Sequence, residues 1–261
     1  MLASTLLAYL NSLPTASLGA GDILALAFSL LFLAYACYRD IKQRTVPNKV
    51  WLLMLLVGFP FVLYRILSDG TPYVTHAAWS LGVTYALCYL FFRFHLFGGA
   101  DAKSLICIAA IFPTHPQFGI LSQQFPIYGG APEAFPLAML TILYGSLLAL
   151  LVPTFLFFRN LQKLGVRGVL GNLGKSFLGY RVPLGQLAAC RNVKLLHVYE
   201  ENNGSVRRRF SPGGMRVDGL TIEMLRRYHK QGQIQEEVWV TLDLPFLVFI
   251  TCGFVAAAFV G

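Results

Sequence analysis

The 261 residues are 56% hydrophobic and only 13% charged, about half the charge of an ordinary soluble domain, and mean hydropathy is positive. That balance excludes a soluble globular enzyme with a charged coat and leaves a polytopic membrane protein. The net charge of +9 comes without a nucleic-acid-binding motif, so it reads as the Lys and Arg that membrane proteins keep on the cytoplasmic side, with no nucleic acid as partner.

The start lacks the basic stretch of a secretory signal peptide. Its apolar run from Leu2 to Leu10 is broken by Asn11, Ser12 and Pro14 and falls short of the roughly 20 residues a span needs; it is expected at the interface or as a lid. A first span is predicted over Ile23 to Tyr38, with Asp22 as N-cap. The polar loop Arg39 to Lys49 follows; Pro47 disfavours helix before it, and Asn48 is expected to cap the next helix. A second span covers Val50 to Leu67, kinked at Pro60. Ser68-Asp69-Gly70-Thr71-Pro72 reads as a turn, and a third span runs from Ala77 to Phe94.

Phe97-Gly98-Gly99-Ala100-Asp101-Ala102-Lys103 is then a run of small residues ending in an acid. An apolar segment from Ala102 to Phe112 follows, too short for an ordinary crossing and stopped by Pro113; it either begins within the glycines or is a partial helix buried among the others. A fifth span is predicted over Phe135 to Phe158. From Arg159 to Thr241 the composition changes: 14 of the 21 Lys and Arg lie there. This segment reads as a small soluble insert, with strands at Val193–Tyr199 and Val206–Phe210 joined through Asn202-Asn203-Gly204. A helix from Asp218 to Gln231 ends at Gly232, and Ile234 to Leu242 forms a further strand. A last span runs from Leu244 to Val260.

The expected fold is therefore an all-α polytopic membrane protein of six transmembrane helices with a small β-rich cytoplasmic insert before the last one. Residues 1–158 form the transmembrane domain, 159–241 the insert and 242–261 the sixth helix. The loop 39–49 carries four Lys or Arg, and loop 113–134 carries none. The asymmetry places loops 39–49, 94–103 and 159–241 in the cytoplasm. Tyr38, Trp51 and Trp79 fit an aromatic belt, and Arg207-Arg208-Arg209 a solvated strand edge or a contact to anionic headgroups. The cysteines Cys37, Cys88, Cys107, Cys190 and Cys252 form no CxxC pair and read as small buried hydrophobes. No metal spacing appears among the five His residues, and neither a metal nor a cofactor is expected.

This topology brings Asp40 and Asp101 to one membrane face, while Asp22 and Asp69 fall at the other. Two neighbouring carboxylates do not both ionise cheaply, so one keeps a proton. Such a pair hydrolyses a peptide without a metal: one carboxylate takes a proton from water, and the other polarises the scissile carbonyl and later protonates the amine. The plainer reading is an Asp40–Arg44 pair and an Asp101–Lys103 pair. Gly98 and Gly99 would give the loop mobility and close packing, and Lys103 would take part in that packing.

Asp40-Ile41-Lys42 with Val46-Pro47-Asn48, and Gly98-Gly99-Ala100-Asp101-Ala102-Lys103, resemble the two signatures of the type IV prepilin peptidase family, most closely its archaeal preflagellin peptidase branch. Val238-Trp239-Val240-Thr241 through Leu244-Pro245-Phe246-Leu247 resembles how that branch enters its last helix. The resemblance implies an aspartic endopeptidase of the cell membrane, catalytic through Asp40 and Asp101. Its partners would be membrane-anchored flagellin-like or pilin-like precursors and the lipid bilayer, and it would remove their short basic signal peptides at the cytoplasmic face. Ala100 departs from the family's Gly-x-Gly-Asp. The cysteine-rich segment of the bacterial methylating members is absent, so peptidase activity without methyl transfer is expected. Glu200 and Glu201 are candidate acceptors for the basic leader. The alternatives are a presenilin-like intramembrane protease, a small transporter, and a membrane scaffold without catalysis.

Overall fold

The computed structural model describes residues 20–94, 98–120, 123–127, 135–190, 192–202 and 205–261. The apolar run from Leu2 to Leu10 and the turn residues Asn203 and Gly204 lie outside them. The chain divides into two compact units, Met1–Leu148 with Pro245–Gly261, and Ala149–Leu244.

The first unit is helical. Its elements are α1 (Ala20–Gln43), α2 (Asn48–Asp69), α3 (Thr71–Arg93), α4 (Gly99–Ile111), the hairpin β1 (Phe118–Ile120) and β2 (Gln123–Phe125), α5 (Leu137–Ala149) and α10 (Phe246–Val260). Among the described residues three helical stretches are long and apolar enough to cross a membrane: Gly21–Gln43, Asn48–Asp69 and Leu137–Leu170. Large apolar side chains such as Leu31, Leu52, Leu56 and Tyr85 point outward, as they do where the solvent is lipid rather than water.

Helix α3 starts at Thr71, six residues before the expected Ala77, because Pro72 sits in the first turn where its missing N–H costs nothing. The expected turn shrinks to Gly70, whose φ of 67° suits glycine. Helix α2 continues through Pro60. Asp22 lies inside the first turn of α1 rather than at its cap. It accepts instead from the backbone N–H of Gln117 at 3.1 Å.

The short helix α4 is the centre of this unit. It packs against α1, α2, α3 and α10, and seven of its 13 residues are buried. Ser80, Thr84 and Cys88 recur every fourth residue on α3 and are all buried. Small side chains at that spacing let two backbones approach; Ser80 donates to the Ala109 carbonyl and Cys88 to that of Ala102. Helices α5 and α10 meet through glycines in the same way. A β-carbon on Gly145 would lie 2.9 Å from the Phe249 carbonyl oxygen, and one on Gly253 2.6 Å from the Gly145 nitrogen. Trp51 is only 4% exposed and belongs to the core, so it is not part of an aromatic belt; Tyr38 and Trp79 are exposed. Of the cysteines, Cys88 and Cys107 are buried, Cys37 and Cys190 half-buried and Cys252 exposed.

The second unit holds α6 (Leu151–Leu170), α7 (Leu173–Leu178), β3 (Tyr180–Pro183), α8 (Leu184–Leu187), β4 (Val193–Asn202), β5 (Ser205–Arg216), α9 (Gly219–Lys230) and β6 (Glu237–Leu242). The predicted fifth span thus breaks at Leu150 and stays helical beyond Phe158, with Gly165 at φ 67° marking a second break. Its basic residues beyond Phe158 change the surface without ending the helix. The four strands form one antiparallel sheet in the order β3-β6-β4-β5. Val182, Leu195, Val238 and Val240 pack on Leu187 from α8 and on Leu225 and Tyr228 from α9. Asp218 caps α9 by accepting from the Thr221 N–H at 2.7 Å.

Candidate active site

The four described acids of the first unit sort to two ends. Asp22 and Asp40 are both on α1, 18 residues and therefore about 27 Å apart. At the Asp22 end, Arg65 pairs with Asp69 at 3.4 Å, and both charges act on Asp22. At the other end, Asp40 occupies the last turn of α1 and is half-buried. The charge of Asp40 acts on the carboxyl of Asp101, and both act on the Cys37 thiol three residues before Asp40. Asp40, Asp101 and Cys37 thus share one electrostatic neighbourhood.

Asp101 is the third residue of α4 and only 8% exposed. Its Oδ2 accepts from the N–H of Gly98, the N-cap residue, at 2.9 Å. An acid at this position returns a bond to the helix entrance and favours the positive end of the helix dipole. Its backbone carbonyl accepts from the Ser104 hydroxyl at 2.7 Å. The carboxylate is therefore aimed by its own helix start.

The two glycines play different parts. A β-carbon at Gly98 would lie 3.1 Å from Asp101 Oδ2, whereas one at Gly99 would meet nothing within 4 Å. Both lie in ordinary backbone regions: Gly98 has φ −78° and Gly99 is helical. Ala100 is likewise helical, so the departure from glycine there needs no left-handed backbone.

Lys103 donates from Nζ to the Asn48 side-chain oxygen at 2.7 Å. This bond ties the second turn of α4 to the first residue of α2, and so joins the chain segments that follow Asp40 and Asp101. Asn48 was expected to cap α2; the N-cap is Pro47, and no side chain caps that end. Its role as a tether was hidden because nothing local distinguishes a free amide at a helix start from a capping one. The only signal was its place in the same polar loop as Asp40. In the second unit, Glu201 receives Arg227 and Tyr228, each at 3.3 Å. That carboxylate is therefore already engaged by a cation and a phenol. No cluster of three metal-ligating side chains occurs among the described residues.

Comparison with known proteins adds an independent line. Residues 27–154 match the profile described as the type IV leader peptidase family. Residues 171–261 match the archaeal peptidase A24 C-terminus, type II. A preflagellin peptidase of Methanococcus voltae is 26% identical over 255 residues, 92% of this chain and 96% of that protein. A preflagellin peptidase of Methanocaldococcus jannaschii is 23% identical over 88% of this chain and 90% of its own length. A prepilin peptidase of Methanothermobacter thermautotrophicus is 29% identical over 135 residues, 50% of this chain but 34% of that protein. These matches span both units and do not favour a presenilin-like protease, a transporter or a scaffold. The apolar helices, the match over residues 27–154 and the match over 171–261 lead to one conclusion: this membrane protein belongs to the type IV leader peptidase family.

Proposed function

We propose that this protein is an aspartic endopeptidase that removes the short basic signal peptides of flagellin-like or pilin-like precursors, with Asp40 and Asp101 as its catalytic pair. The observation that carries the reading is the nearly buried Asp101, held at a helix start within the electrostatic reach of Asp40. The names of the relatives, preflagellin and prepilin peptidase, point to the same substrates.

In this reading six helices cross the bilayer: α1, α2, α3, α4, the α5–α6 stretch and α10. The 159–241 segment and both carboxylates face the cytoplasm. One carboxylate of the pair is ionised and draws a proton from the attacking water. The other is protonated, polarises the scissile carbonyl and passes its proton to the departing amine. The Gly98 N–H occupies Oδ2 of Asp101, which fixes the carboxyl plane before substrate arrives. A precursor anchored by its own apolar helix presents its cleavage site at a constant depth, and confinement to one membrane raises its effective concentration. Gly98 and Gly99 let the α4 entrance give way to an extended peptide, and Lys103 with Asn48 limits how far it moves. The protein cleaves without methylating the new N-terminus.

The test is co-expression with a flagellin-like precursor, reading the size shift of the precursor by electrophoresis. Asp40→Asn and Asp101→Asn each abolish the shift while the protein still accumulates in the membrane. Asp69→Asn, at the opposite end of the helices, leaves it intact. Full cleavage by either variant of the pair overturns the assignment.

A further inference from the structure

The second unit contains a cavity of ≈ 210 Å³ whose walls bring together Lys175, Arg181 and Arg208 with Asn172, His197 and Glu237. Two arginines and a lysine face one carboxylate there. Such a concentration of like charge in a concave wall is repulsive unless an anion resides among them.

The cations come from three separate elements. Lys175 is on α7, Arg181 on β3 and Arg208 on the edge strand β5. Arg181 lies opposite Trp239 in the register and holds its guanidinium over that ring, 5.2 Å from the centroid. Its only carboxylate contact among the described residues is a long one, 3.7 Å to Glu237, and its Nε is buried with no hydrogen-bond partner. A guanidinium with a buried unsatisfied N–H is costly to leave in that state. Lys175 Nζ reaches Asn172 Oδ1 at a weak 3.3 Å. Burial, then Arg208 and Arg181, hold its ammonium below the usual range. His197 is buried in its neutral form beside them. Neutral His197 adds no positive charge but offers a ring nitrogen.

We infer that this cavity binds a phosphate group, either free or as the headgroup of an anionic phospholipid. Two guanidinium forks and an ammonium match a tetrahedral oxyanion better than a single planar carboxylate. A phosphate bearing up to two negative charges balances the surplus of two positive charges. Leu173 and Phe177 on either side of Lys175 are exposed, so apolar surface stands next to the charge, as a headgroup with its chains requires. The site is independent of the Asp40–Asp101 reading.

The test uses the full-length protein in nonionic detergent at constant ionic strength, reading tryptophan fluorescence, to which Trp239 in the cavity wall contributes. One arm titrates inorganic phosphate against chloride. The second titrates soluble dihexanoyl phosphatidate against dihexanoyl phosphatidylcholine. Saturable binding in the first arm identifies free phosphate as sufficient, and binding in the second arm alone identifies the lipid. In either case Lys175→Gln and Arg208→Gln each weaken binding about tenfold. Lys175→Arg retains binding, and Arg209→Gln, outside the cavity, leaves it unchanged. Absence of saturable binding in both arms overturns the proposal. So does equal loss in the Arg209 and Arg208 variants, which would reduce the effect to general surface charge.

Discussion

Lowering the pH from 7.5 to 5 is expected to loosen the sheet of the second unit through one side chain, His197. Burial first, and then the neighbouring Lys175 and Arg208, push its pKa down from 6.5 to about 4. Because the folded state disfavours the imidazolium, the unfolded chain binds the proton first. Stability is unaffected above pH 6.5, falls as the pH drops through that value, and stops falling below about 4. The full loss is about 3 kcal/mol, and at pH 5 about 2 kcal/mol of it has been realised. Hydrogen exchange of the full-length protein, corrected for the intrinsic pH dependence of exchange, reads this out in peptides covering β4, β5 and β6. The buffer must be free of phosphate. The protection free energy of those strands should drop by about 2 kcal/mol, and His197→Gln should remove most of the pH dependence. An unchanged protection between the two pH values refutes the reasoning, as does an identical loss in the variant.

Other expectations follow from single contacts. Gly98→Val should lower the cleavage rate at least about tenfold without emptying the membrane of protein, since a side chain there crowds Asp101 Oδ2 and the bond that aims it; an unchanged rate in single-turnover assays would separate the cap from catalysis. Gly145→Leu should cost about 1–3 kcal/mol, because the obstacle is the Phe249 backbone rather than a movable side chain; thermal denaturation in detergent measures it. Asn48→Ala should leave the fold intact and reduce cleavage severalfold by freeing the Lys103 end of α4, with Asn48→Asp restoring activity through a carboxylate acceptor.

The long apolar runs were legible because a bilayer demands them: α1, α2 and α10 lie within a few residues of where hydropathy placed them. In the insert, Asp218 and Gly232 bracketed α9 correctly because capping chemistry is local. Composition misled at Phe158, where basic residues follow but the helix carries on, and at Thr71, where polar residues precede Ala77 yet are helical. The three-residue strands β1 and β2 are too short to carry an alternating pattern. Trp51 was assigned to an interface from its residue type, but its burial depends on helices distant in sequence. At the site, the two acids were visible as lone charges beside apolar runs and small residues. The tether from Lys103 to Asn48 was not, since it joins residues 55 positions apart through side chains with no local mark.

The shortness of α4 has a consequence for the membrane itself. Thirteen residues rise about 20 Å, some 10 Å less than a hydrocarbon core is thick. Beyond the Ile111 end of α4 in the chain comes the β1–β2 hairpin, whose Phe118 and Phe125 rings sit within 5.5 Å of each other and of the Phe259 ring on α10, centroid to centroid. The Ile127 N–H donates to the Phe259 carbonyl and the Gln117 N–H to the Asp22 carboxylate, fastening that aromatic cluster to α10 and α1. In the proposed six-span reading, water reaching Asp101 from one face would meet this aromatic cluster at the far end of α4. On that reading the peptidase would draw its water from one compartment, with the ring cluster closing the other end.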